Sequence, residues 1–384
     1  MKILFISAWY PNRYDAMAGL FVRKHAEAVS LYNEVQVLYV HADTKIKDFD
    51  ISIQHTNKLK QTIVYYPGKE GKYLGKTKKH LNYIFAYYKG WKLITASGFR
   101  PDIIHANILT RTGFIAWCIQ LFTQTPYIIA EHWSRYLPIR NTYNGFVRKK
   151  ITELVVKHAS AVFPVSENLK ASMLNHNLKN NNYFVVNNTV DSCFLDVYDV
   201  KKRSIKRILH VSCFDESAKN IKGILNAILA LSRQRTDFEM VLVGTGINFD
   251  EIREYARQLN FPEGRVVFTG ELTPAEVAEW IYNSDFFVLF SNYENSPVVV
   301  SESLYCGKPV ISTQVGGISE HVNDSNGLLI AAKDEEALTK NMNYLLDHYP
   351  LFDAEKIRTE ARAKFSMESV GKIITNHYNQ IKNL

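Results

Sequence analysis

Apolar and polar positions along this chain alternate in a way that is typical of strands followed by helices. In the first half the pattern predicts strands at Lys2–Ala8, Glu34–His41, Asp102–Ala106, Tyr127–Ala130, Ala161–Val165 and Tyr183–Val186, and helices at Leu20–Leu31 and near Thr112–Phe122. In the second half it predicts strands at Arg207–Ser212, Glu239–Val243, Val266–Phe268, Asp285–Phe290 and Pro309–Ser312, and helices at Ile221–Arg233, Phe249–Leu259, Pro274–Tyr282 and Glu335–Leu346. Such alternation indicates parallel sheets covered by helices on both sides, so the predicted class is α/β with two doubly wound, Rossmann-like domains.

The predicted domain boundaries follow the same pattern. The first domain spans residues 1–195, a polar and charged linker spans 196–206, and the second domain spans 207–365. Residues 366–384 are predicted to form a C-terminal helix that packs back on the first domain. Open parallel sheets bind ligands beyond the C-terminal ends of their strands, so the expected site is a cleft between two facing domains.

The most informative local pattern is a pair of carboxylates around a strong helix start. Glu294 precedes the predicted helix and Glu302 lies about one and a half turns inside it. Ser296 is a favourable N-cap, and Pro297 suits the first helical position because its missing N–H is not needed there. Helical side chains lean toward the N-terminus, so Glu302 is expected to point back toward the loop that carries Glu294.

The first amides of this helix complete the pattern. Val298 and Val299 are expected to present backbone N–H groups at the positive end of the helix dipole. A ligand with phosphates for the helix end and hydroxyls for the two carboxylates would fit, and a sugar nucleotide has both. The alternative is an ordinary strand–loop–helix unit with two solvated glutamates.

Composition limits the remaining possibilities. The 384 residues suffice for two domains, and 46% hydrophobic and 22% charged residues are ordinary for a globular protein. No apolar run has membrane-spanning length, and the N-terminus lacks the features of a signal peptide. The four cysteines are widely spaced without a CxxC pair, which favours neither zinc nor disulfides and is consistent with a cytoplasmic protein.

Charge is distributed unevenly along the chain. Residues 1–190 carry 25 Lys and Arg against 11 Asp and Glu, or +14, and the remainder carries −6. The first half is therefore expected to meet something anionic. The stretch Lys72–Lys92 mixes cations with aromatic residues, which suits contact with an anionic membrane at the inner face of the cell. The alternative is a helix with an aromatic stripe toward the core and a solvated basic side; no nucleic-acid motif is present.

The chain resembles the retaining glycosyltransferases of the GT-B fold, family 4, also called group 1. The matching segments are Lys219-Asn220, Val243-Gly-Thr-Gly246, Phe268-Thr-Gly270, Ser291-Asn-Tyr-Glu294, Pro297, Glu302 to Pro309, Val315 to Glu320 and Asn326 to Leu329. The first half matches more sparsely, through Pro11, Gly19, Glu131-His132, Val165-Ser166-Glu167 and Asn187 to Asp191. The resemblance implies an acceptor-side first domain and a second domain that binds a nucleotide-sugar donor.

Roles for individual residues follow from this resemblance. It implies that Glu302 binds the ribose hydroxyls, that Glu294 contacts the transferred sugar and that Lys219 contacts the diphosphate. Lys222 is a second candidate for the diphosphate, and Gly244 belongs to a motif of the donor-binding domain. No metal or other cofactor is expected, because a lysine can offset the charge of the leaving group. UDP is weakly favoured as the nucleotide.

One departure from the family pattern concerns the diphosphate. Many members have an Arg shortly before the lysine, where this chain has Cys213. A thiol cannot replace the bidentate charge of a guanidinium, so another cation such as Lys222 compensates or donor binding is weaker.

Two residues of the first half complete the candidate site. Gly19 begins the first helix and permits close backbone approach to donor or acceptor, although an ordinary strand–helix turn would also use it. His132 follows a predicted strand, and the resemblance places a histidine near the sugar, which assigns it to positioning sugar or acceptor. A histidine at a strand end can equally be a packing residue. Asp48-Phe-Asp50 is interpreted as a solvated loop and not as a metal motif.

The predicted function is transfer of a sugar to a carbohydrate or lipid-linked acceptor, in assembly of a surface polysaccharide or glycolipid. Three alternatives remain: a nucleotide-sugar epimerase of similar fold, a nicotinamide-dependent oxidoreductase, and a non-catalytic nucleotide-sugar-binding protein. The oxidoreductase is supported only by Gly244-Thr-Gly246, which lacks the third glycine of the dinucleotide fingerprint.

Overall fold

Two sheets organise the chain in the computed structural model, which describes residues 1–56, 59–68, 73–195 and 203–382, with backbone only for 73–77. The chain divides into one unit of Met1–Thr189 with the segment that begins at Met367, and a second unit of Val190–Ser366. The division falls at 189 where the sequence predicts 195, and residues 196–202 of the predicted linker lie outside the described ranges.

The first unit is built on a seven-stranded sheet. Its strands are β1 (Lys2–Ser7), β2 (Glu34–Asp43), β3 (Asp50–Thr56), β4 (Leu59–Pro67), β5 (Ile103–Asn107), β6 (Tyr127–Glu131) and β7 (Ala161–Pro164). Its helices are α1 (Leu20–Ser30), α2 (Tyr73–Ala96), α3 (Phe114–Thr123), α4 (Phe146–His158), α5 (Glu167–Asn175) and, at the C-terminus, α13 (Met367–Lys382). The strand order is β3-β4-β2-β1-β5-β6-β7.

The second unit is built on a six-stranded sheet. Its strands are β8 (Lys206–Val211), β9 (Phe238–Val243), β10 (Val266–Gly270), β11 (Phe286–Leu289), β12 (Val310–Thr313) and β13 (Gly327–Ile330). Its helices are α6 (Glu216–Lys219), α7 (Ile221–Ser232), α8 (Phe249–Gln258), α9 (Pro274–Tyr282), α10 (Val298–Tyr305), α11 (Glu335–His348) and α12 (Ala354–Phe365). The order β10-β9-β8-β11-β12-β13 is that of a doubly wound sheet, with a switch point between β8 and β11.

The strands form where apolar runs can be buried on both sides. Residues Ile3 to Ile6 of β1 and Phe286 to Leu289 of β11 have no exposed surface. Each sheet separates two apolar clusters, one on each side, which is the layered arrangement that helices on both sides of a parallel sheet produce. In the first unit α13 contributes Val370, Ile374 and Tyr378 to one of these clusters.

The structure corrects several predicted elements. The first sheet is mixed and not purely parallel, because β3 pairs antiparallel with β4, and neither strand was predicted. Asp50, interpreted as part of a solvated loop, begins β3. The predicted strand Tyr183–Val186 is reduced to one bridge between Tyr183 and Val162. The sequence pattern also did not predict helices α4 and α12 or strand β13.

Side-chain caps form at some helix starts and not at others. The Ser166 side chain accepts the backbone N–H of Leu169 at 3.0 Å and so caps α5. At α10, however, Pro297 occupies the N-cap position with extended backbone angles, and Val298 is the first helical residue. The prediction that Ser296 caps the helix and Pro297 begins it was therefore wrong by one residue.

None of the helices in the described ranges has both the length and the apolar character needed to cross a membrane.

Candidate functional site

The switch point of the second sheet brings two predicted site residues into contact. Lys219 ends α6, in the segment after β8, and Glu294 lies in the loop after β11. The Lys219 Nζ lies 2.5 Å from Glu294 Oε1, and both side chains are largely buried. Burial lowers the pKa of Lys219, but the charge and hydrogen bond of Glu294 outweigh this effect, so the pKa is raised. Lys219 is therefore cationic at neutral pH.

The loop that carries Glu294 is held by several hydrogen bonds. Ser291 Oγ donates to Glu294 Oε1 at 2.8 Å, and the Thr313 hydroxyl donates to the Ser291 carbonyl at 2.7 Å. The Asn292 N–H donates to the Ala218 carbonyl at 2.7 Å, which ties this loop to the turn that carries Lys219. The sequence does not single out Ser291 as a partner of Glu294, although the spacing of three residues is compatible with such a contact.

A glycine lies against the same loop. Gly316 has φ +59°, and a Cβ at this position would lie 2.1 Å from the Glu294 carbonyl oxygen. The N–H of the next residue, Gly317, donates to the Asn295 carbonyl at 2.7 Å. The Val315-Gly-Gly segment therefore supports the backbone of the Glu294 loop.

Glu302 lies on α10, as predicted, in partly buried surroundings. Burial raises its pKa to about 8, and the nearby negative charge of Asp191 acts in the same direction. Within the described part of the chain its carboxyl group makes no hydrogen bond or ion pair. Because no described residue occupies it, the Glu302 carboxyl group is available to bind hydroxyl groups of a ligand.

The first turn of α10 lies close in sequence to both glutamates. Val298 and Val299 begin the helix, so their N–H groups are among those that lack a partner inside it. The shift of the helix start by one residue leaves them in the first turn, at the positive end of the helix.

Lys222, the second candidate for the diphosphate, and Cys213, the position of the missing Arg, lie in different environments. Lys222 forms an ion pair with Glu251 at 2.5 Å on an exposed surface. Cys213, which replaces the expected Arg, is exposed, and it is one of the groups that raise the pKa of Lys219. Cys213 therefore does lie near the lysine, whereas Lys222 is held by another carboxylate.

The N-terminus of α7 carries its own internal acceptor. The Glu216 carboxylate accepts the N–H groups of Ile221 at 2.8 Å and Lys222 at 3.2 Å. This carboxylate occupies the position that an anion could take at a helix N-terminus. Of the two helices nearest the switch point, α10 is therefore the better candidate for binding phosphate.

The Gly244 backbone amide is used within the protein. It donates to the Gly270 carbonyl at 2.8 Å, at the ends of the adjacent strands β9 and β10. The structure therefore shows a structural contact for this amide, and its donor-binding role stays a prediction.

In the first unit, Gly19 has the close backbone approach that the sequence indicates. Its φ is +62°, and a Cβ would lie 2.4 Å from the carbonyl carbon and oxygen of Trp9. Trp9 belongs to the same loop as Gly19, between β1 and α1. Its contact with a ligand stays a prediction.

His132 follows β6 and packs against aromatic residues. Its Nδ1 lies 3.2 Å from Asn188 Oδ1, and its ring centroid is 4.6 Å from Phe21 and 5.1 Å from His25. Burial and the charge of His25 hold the pKa of His132 well below its usual range. The imidazole is therefore neutral at pH 7.

Glu131, next to His132, has an organising role that the sequence did not reveal. This fully buried carboxylate accepts the N–H groups of Leu109 at 2.9 Å, His132 at 2.9 Å and Trp133 at 2.8 Å. Burial raises its pKa to about 7, against the opposing effect of these three donors. It joins the segments after β5 and β6, at the C-terminal edge of the sheet.

The segment after β5 is strained. Ile108 has φ +70°, which is unfavourable for a β-branched residue, and a π-helical turn follows at Leu109–Gly113. The Ile108 N–H donates to the Ala130 carbonyl at 2.8 Å. Together with Glu131, this bond keeps the strained backbone in place.

The basic aromatic stretch lies on α2, and its contact with a membrane stays a prediction. Tyr83 and Tyr87 pack toward the core, whereas Ile84, Phe85 and Tyr88 are exposed. Lys72, the first residue of that stretch, lies outside the described ranges.

Two family models match the chain, one for each half. The model described as Glycosyl transferases group 1 matches residues 205–348, and the model described as Glycosyltransferase Family 4 matches residues 30–192. Among curated proteins, the N-acetylgalactosamine-N,N'-diacetylbacillosaminyl-diphospho-undecaprenol 4-alpha-N-acetylgalactosaminyltransferase of Campylobacter jejuni is 24% identical, over 74% of this chain and 78% of that protein.

Solved structures with the same architecture align over 99% of the chain. Sucrose-phosphate synthase of Thermosynechococcus elongatus aligns with a TM-score of 0.78 at 18% identity, over 99% of both chains. HepE of Anabaena, in complex with UDP, aligns with a TM-score of 0.75 at 16% identity, over 99% of this chain and all of that one. The predicted α/β class with GT-B architecture is confirmed.

Proposed function

We propose that this chain, a glycosyltransferase of the GT-B type, moves a sugar from a nucleotide-diphosphate sugar to an acceptor hydroxyl with retention of the anomeric configuration. The observation that carries the proposal is the contact of Lys219 with Glu294 at the switch point of the second sheet, together with Glu302 on the helix that follows. This arrangement combines a cation, two carboxyl groups and a helix N-terminus, which suit the phosphates and hydroxyls of one ligand.

The donor would be held by its two ends. Glu302 binds the ribose hydroxyls, and the amides of Val298 and Val299 face the diphosphate with Lys219. UDP is the favoured nucleotide, because HepE, a protein of the same fold, binds UDP. Because its pKa is raised to about 8, the Glu302 carboxyl group is mainly protonated at pH 7, so it can donate a hydrogen bond to one ribose oxygen and accept one from the other hydroxyl, and the low polarity around it strengthens both bonds.

Departure of the nucleotide is the step that needs charge stabilisation. Negative charge grows on the diphosphate as the sugar bond breaks, and a lysine with a raised pKa remains cationic throughout. Contact with the diphosphate draws Lys219 partly away from Glu294, whose carboxylate then turns to hydroxyls of the transferred sugar. His132, neutral because of burial, positions sugar or acceptor by hydrogen bonding.

The acceptor is a carbohydrate or a lipid-linked carbohydrate, and the setting is assembly of a surface polysaccharide or glycolipid. The Campylobacter relative is named for transfer to a sugar that is linked to diphospho-undecaprenol, and this supports a lipid-linked acceptor for this chain. The basic first half, with +14 on residues 1–190, suits an anionic acceptor or membrane.

The alternative functions differ in what they would do with the donor. A nucleotide-sugar epimerase is not favoured, because the matched family models describe transferases. A non-catalytic binding protein would bind the nucleotide but release no sugar, and the cysteine at position 213 is the feature that keeps this alternative open.

Nucleotide screening followed by product analysis tests the proposal. UDP is expected to raise the melting temperature more than ADP, GDP or UMP. With a UDP-sugar and a carbohydrate acceptor, proton NMR of the product should show the anomeric configuration of the donor. An inverted product would contradict retention. Conversion of the donor without acceptor to an epimer, or nucleotide binding without any sugar release, would favour one of the two alternatives.

A further inference from the structure

A cavity of about 590 Å³ lies in the first unit, and its lining contains none of the residues of the donor site described above. Helix α2, the π-helical turn at Leu109–Gly113, and helices α3 and α4 form its walls. Its volume falls in the range of small-molecule sites, which is about 300–1,000 Å³.

The walls of this cavity are largely apolar. Tyr83 and Ile84 of α2, Phe114 of α3, and Val147 and Ile151 of α4 contribute to them. Ile84 and Val147 are 51% and 68% exposed, so the apolar lining continues from the cavity to the protein surface. A ligand with an apolar chain longer than the cavity could therefore leave it along these side chains.

The charged groups of the cavity all have the same sign. Arg111 of the π-helical turn and Arg148 of α4 line it, together with Lys79, and its described lining contains no Asp or Glu. Neither arginine forms an ion pair with any residue in the described ranges. Arg111 instead lies over the Tyr83 ring, 5.9 Å from its centroid. Two unneutralised guanidinium groups beside apolar walls match an anionic group attached to an apolar chain.

The cavity is connected to the proposed acceptor region by direct contacts. Thr110, which lines it, accepts a hydrogen bond from Arg135 Nη1 at 3.5 Å, three residues after His132. The backbone N–H of Leu109, in the same turn, donates to the Glu131 carboxylate, which also accepts the backbone N–H of His132. A ligand anchored in the cavity therefore lies beside the segment that positions His132.

We propose that this cavity binds the phosphate or diphosphate group and the first part of the apolar chain of a lipid-linked acceptor. The inference rests on the proposed function, since it specifies the acceptor of that transfer. A free sugar phosphate would satisfy the arginines but not the apolar walls, whereas a neutral lipid would leave both arginines without a counter-charge.

The test uses soluble probes and the whole chain. Farnesyl diphosphate, farnesol and inorganic pyrophosphate are titrated into the protein in a calorimeter, without any donor. Farnesyl diphosphate is expected to bind at least about tenfold more tightly than either of the others, because only it uses both the charged and the apolar contacts. The double variant R111Q/R148Q is expected to lose about tenfold in affinity for farnesyl diphosphate, with unchanged affinity for UDP.

A matched double variant separates a specific site from general electrostatics. K150Q/K157Q removes two positive charges from the same helix α4, at positions that do not line the cavity. It is expected to bind farnesyl diphosphate as the unmodified protein does. Equal losses in the two variants, or equal affinity for farnesyl diphosphate and farnesol, would overturn the proposal.

Two further outcomes are distinguishable. Binding confined to phosphatidylglycerol vesicles, and weakened equally in both double variants, would replace the proposal with a membrane-binding surface. Failure of UDP to bind would contradict the proposed function. The farnesyl diphosphate titration would still decide whether the cavity binds an anionic group attached to an apolar chain, because it is carried out without donor.

Discussion

The Lys219 ammonium and the Glu294 carboxylate form an ion pair in which Nζ and Oε1 are 2.5 Å apart. The pair joins two segments, one after β8 and one after β11, which are 75 residues apart in sequence. Removing one partner of a buried pair leaves the other uncompensated, which costs stability as well as function. Truncation of Lys219 or Glu294 would therefore mix two effects, and Glu302 is the cleaner position for measuring nucleotide binding.

The first prediction concerns Glu302 and the nucleotide. Glu302→Ala should weaken UDP binding by about five- to a hundredfold, because it removes two hydrogen bonds to the ribose that contribute about 0.5–1.5 kcal/mol each. Isothermal titration calorimetry measures the change. The control is Glu336→Ala, which removes an exposed carboxylate from α11 in the same unit. Unchanged UDP affinity in the Glu302 variant would remove this residue from the binding site.

The second prediction uses the pKa of the same group. Folding raises the pKa of Glu302 from 4.5 to about 8, so its contribution to stability is complete below pH 4.5 and is lost as the pH rises through 8. The variant E302Q cannot ionise and avoids this loss. Its melting temperature should match that of the unmodified protein at pH 4.5 and exceed it at pH 8.5, in the absence of nucleotide. A difference that stays constant between these two pH values would show that Glu302 ionises normally.

The third prediction tests the organising role of Glu131. In the variant E131Q the amide can still accept the N–H groups of His132 and Trp133, but its NH₂ group then faces the N–H of Leu109. The unmade buried hydrogen bond should destabilise the protein by about 1–3 kcal/mol, measured by urea unfolding.

Kinetics distinguish positioning from stability in the same variant. If Glu131 positions His132, E131Q should lower kcat at a temperature where the protein is fully folded and should leave UDP affinity unchanged. The control, E153Q, changes a partly exposed carboxylate of α4 in the same unit, which pairs with Lys150 at 2.9 Å. A kcat equal to that of the unmodified protein would limit Glu131 to a structural role.

Much of the core was predictable because its pattern is local. Strands β1 and β11 are continuous apolar runs bounded by polar residues or turn signals, and burial on both sides leaves no other pattern available to them. Strand β3 was missed because it lies at the edge of the sheet, where Ile51 and Ile53 are exposed and polar residues alternate with them. An edge strand carries too little apolar pattern to be distinguished from a loop.

The site was predictable residue by residue but not as a set of contacts. The sequence places Glu294 and Lys219 on suitable elements, yet only the folded sheet brings them together. Glu131 gives a sharper case, since its three N–H partners come from two separate segments of the chain. No local pattern specifies such a contact, because it depends on which strands become neighbours.

The fourth prediction concerns acid stability. His25 is fully buried, and its Nε2 lies 3.1 Å from the Asn187 carbonyl, while Nδ1 has no partner among the described residues. Burial lowers the pKa of His25 to about 4. The stability that depends on neutral His25 is therefore complete above pH 6.5 and is lost as the pH falls toward 4. H25Q keeps a donor for Asn187 but cannot titrate, so it should lose less stability between pH 6.5 and 4.

An exposed histidine provides the comparison for this measurement. H158Q changes an exposed histidine on the surface of α4, and its urea unfolding is measured beside that of H25Q. His105 and His132 also have lowered pKa values because of burial, so H25Q should reduce the acid loss without abolishing it. An identical pH dependence in H25Q and the unmodified protein would exclude His25 from the acid response.

The fifth prediction separates backbone strain from steric contact at Gly316. G316A places a methyl group 2.1 Å from the Glu294 carbonyl oxygen, whereas at Gly264, which has a similarly positive φ of +73°, no atom lies within 4 Å. Both substitutions carry the cost of a left-handed residue, about 1–2 kcal/mol. Only G316A must also displace the loop that holds Glu294 beside Lys219. It should therefore lower the melting temperature more than G264A and weaken UDP binding, which G264A should leave intact. Equal changes of melting temperature and UDP affinity in the two variants would mean that the Glu294 loop adapts to the methyl group. The hydrogen bonds of this loop would then not make it a rigid support for the donor site.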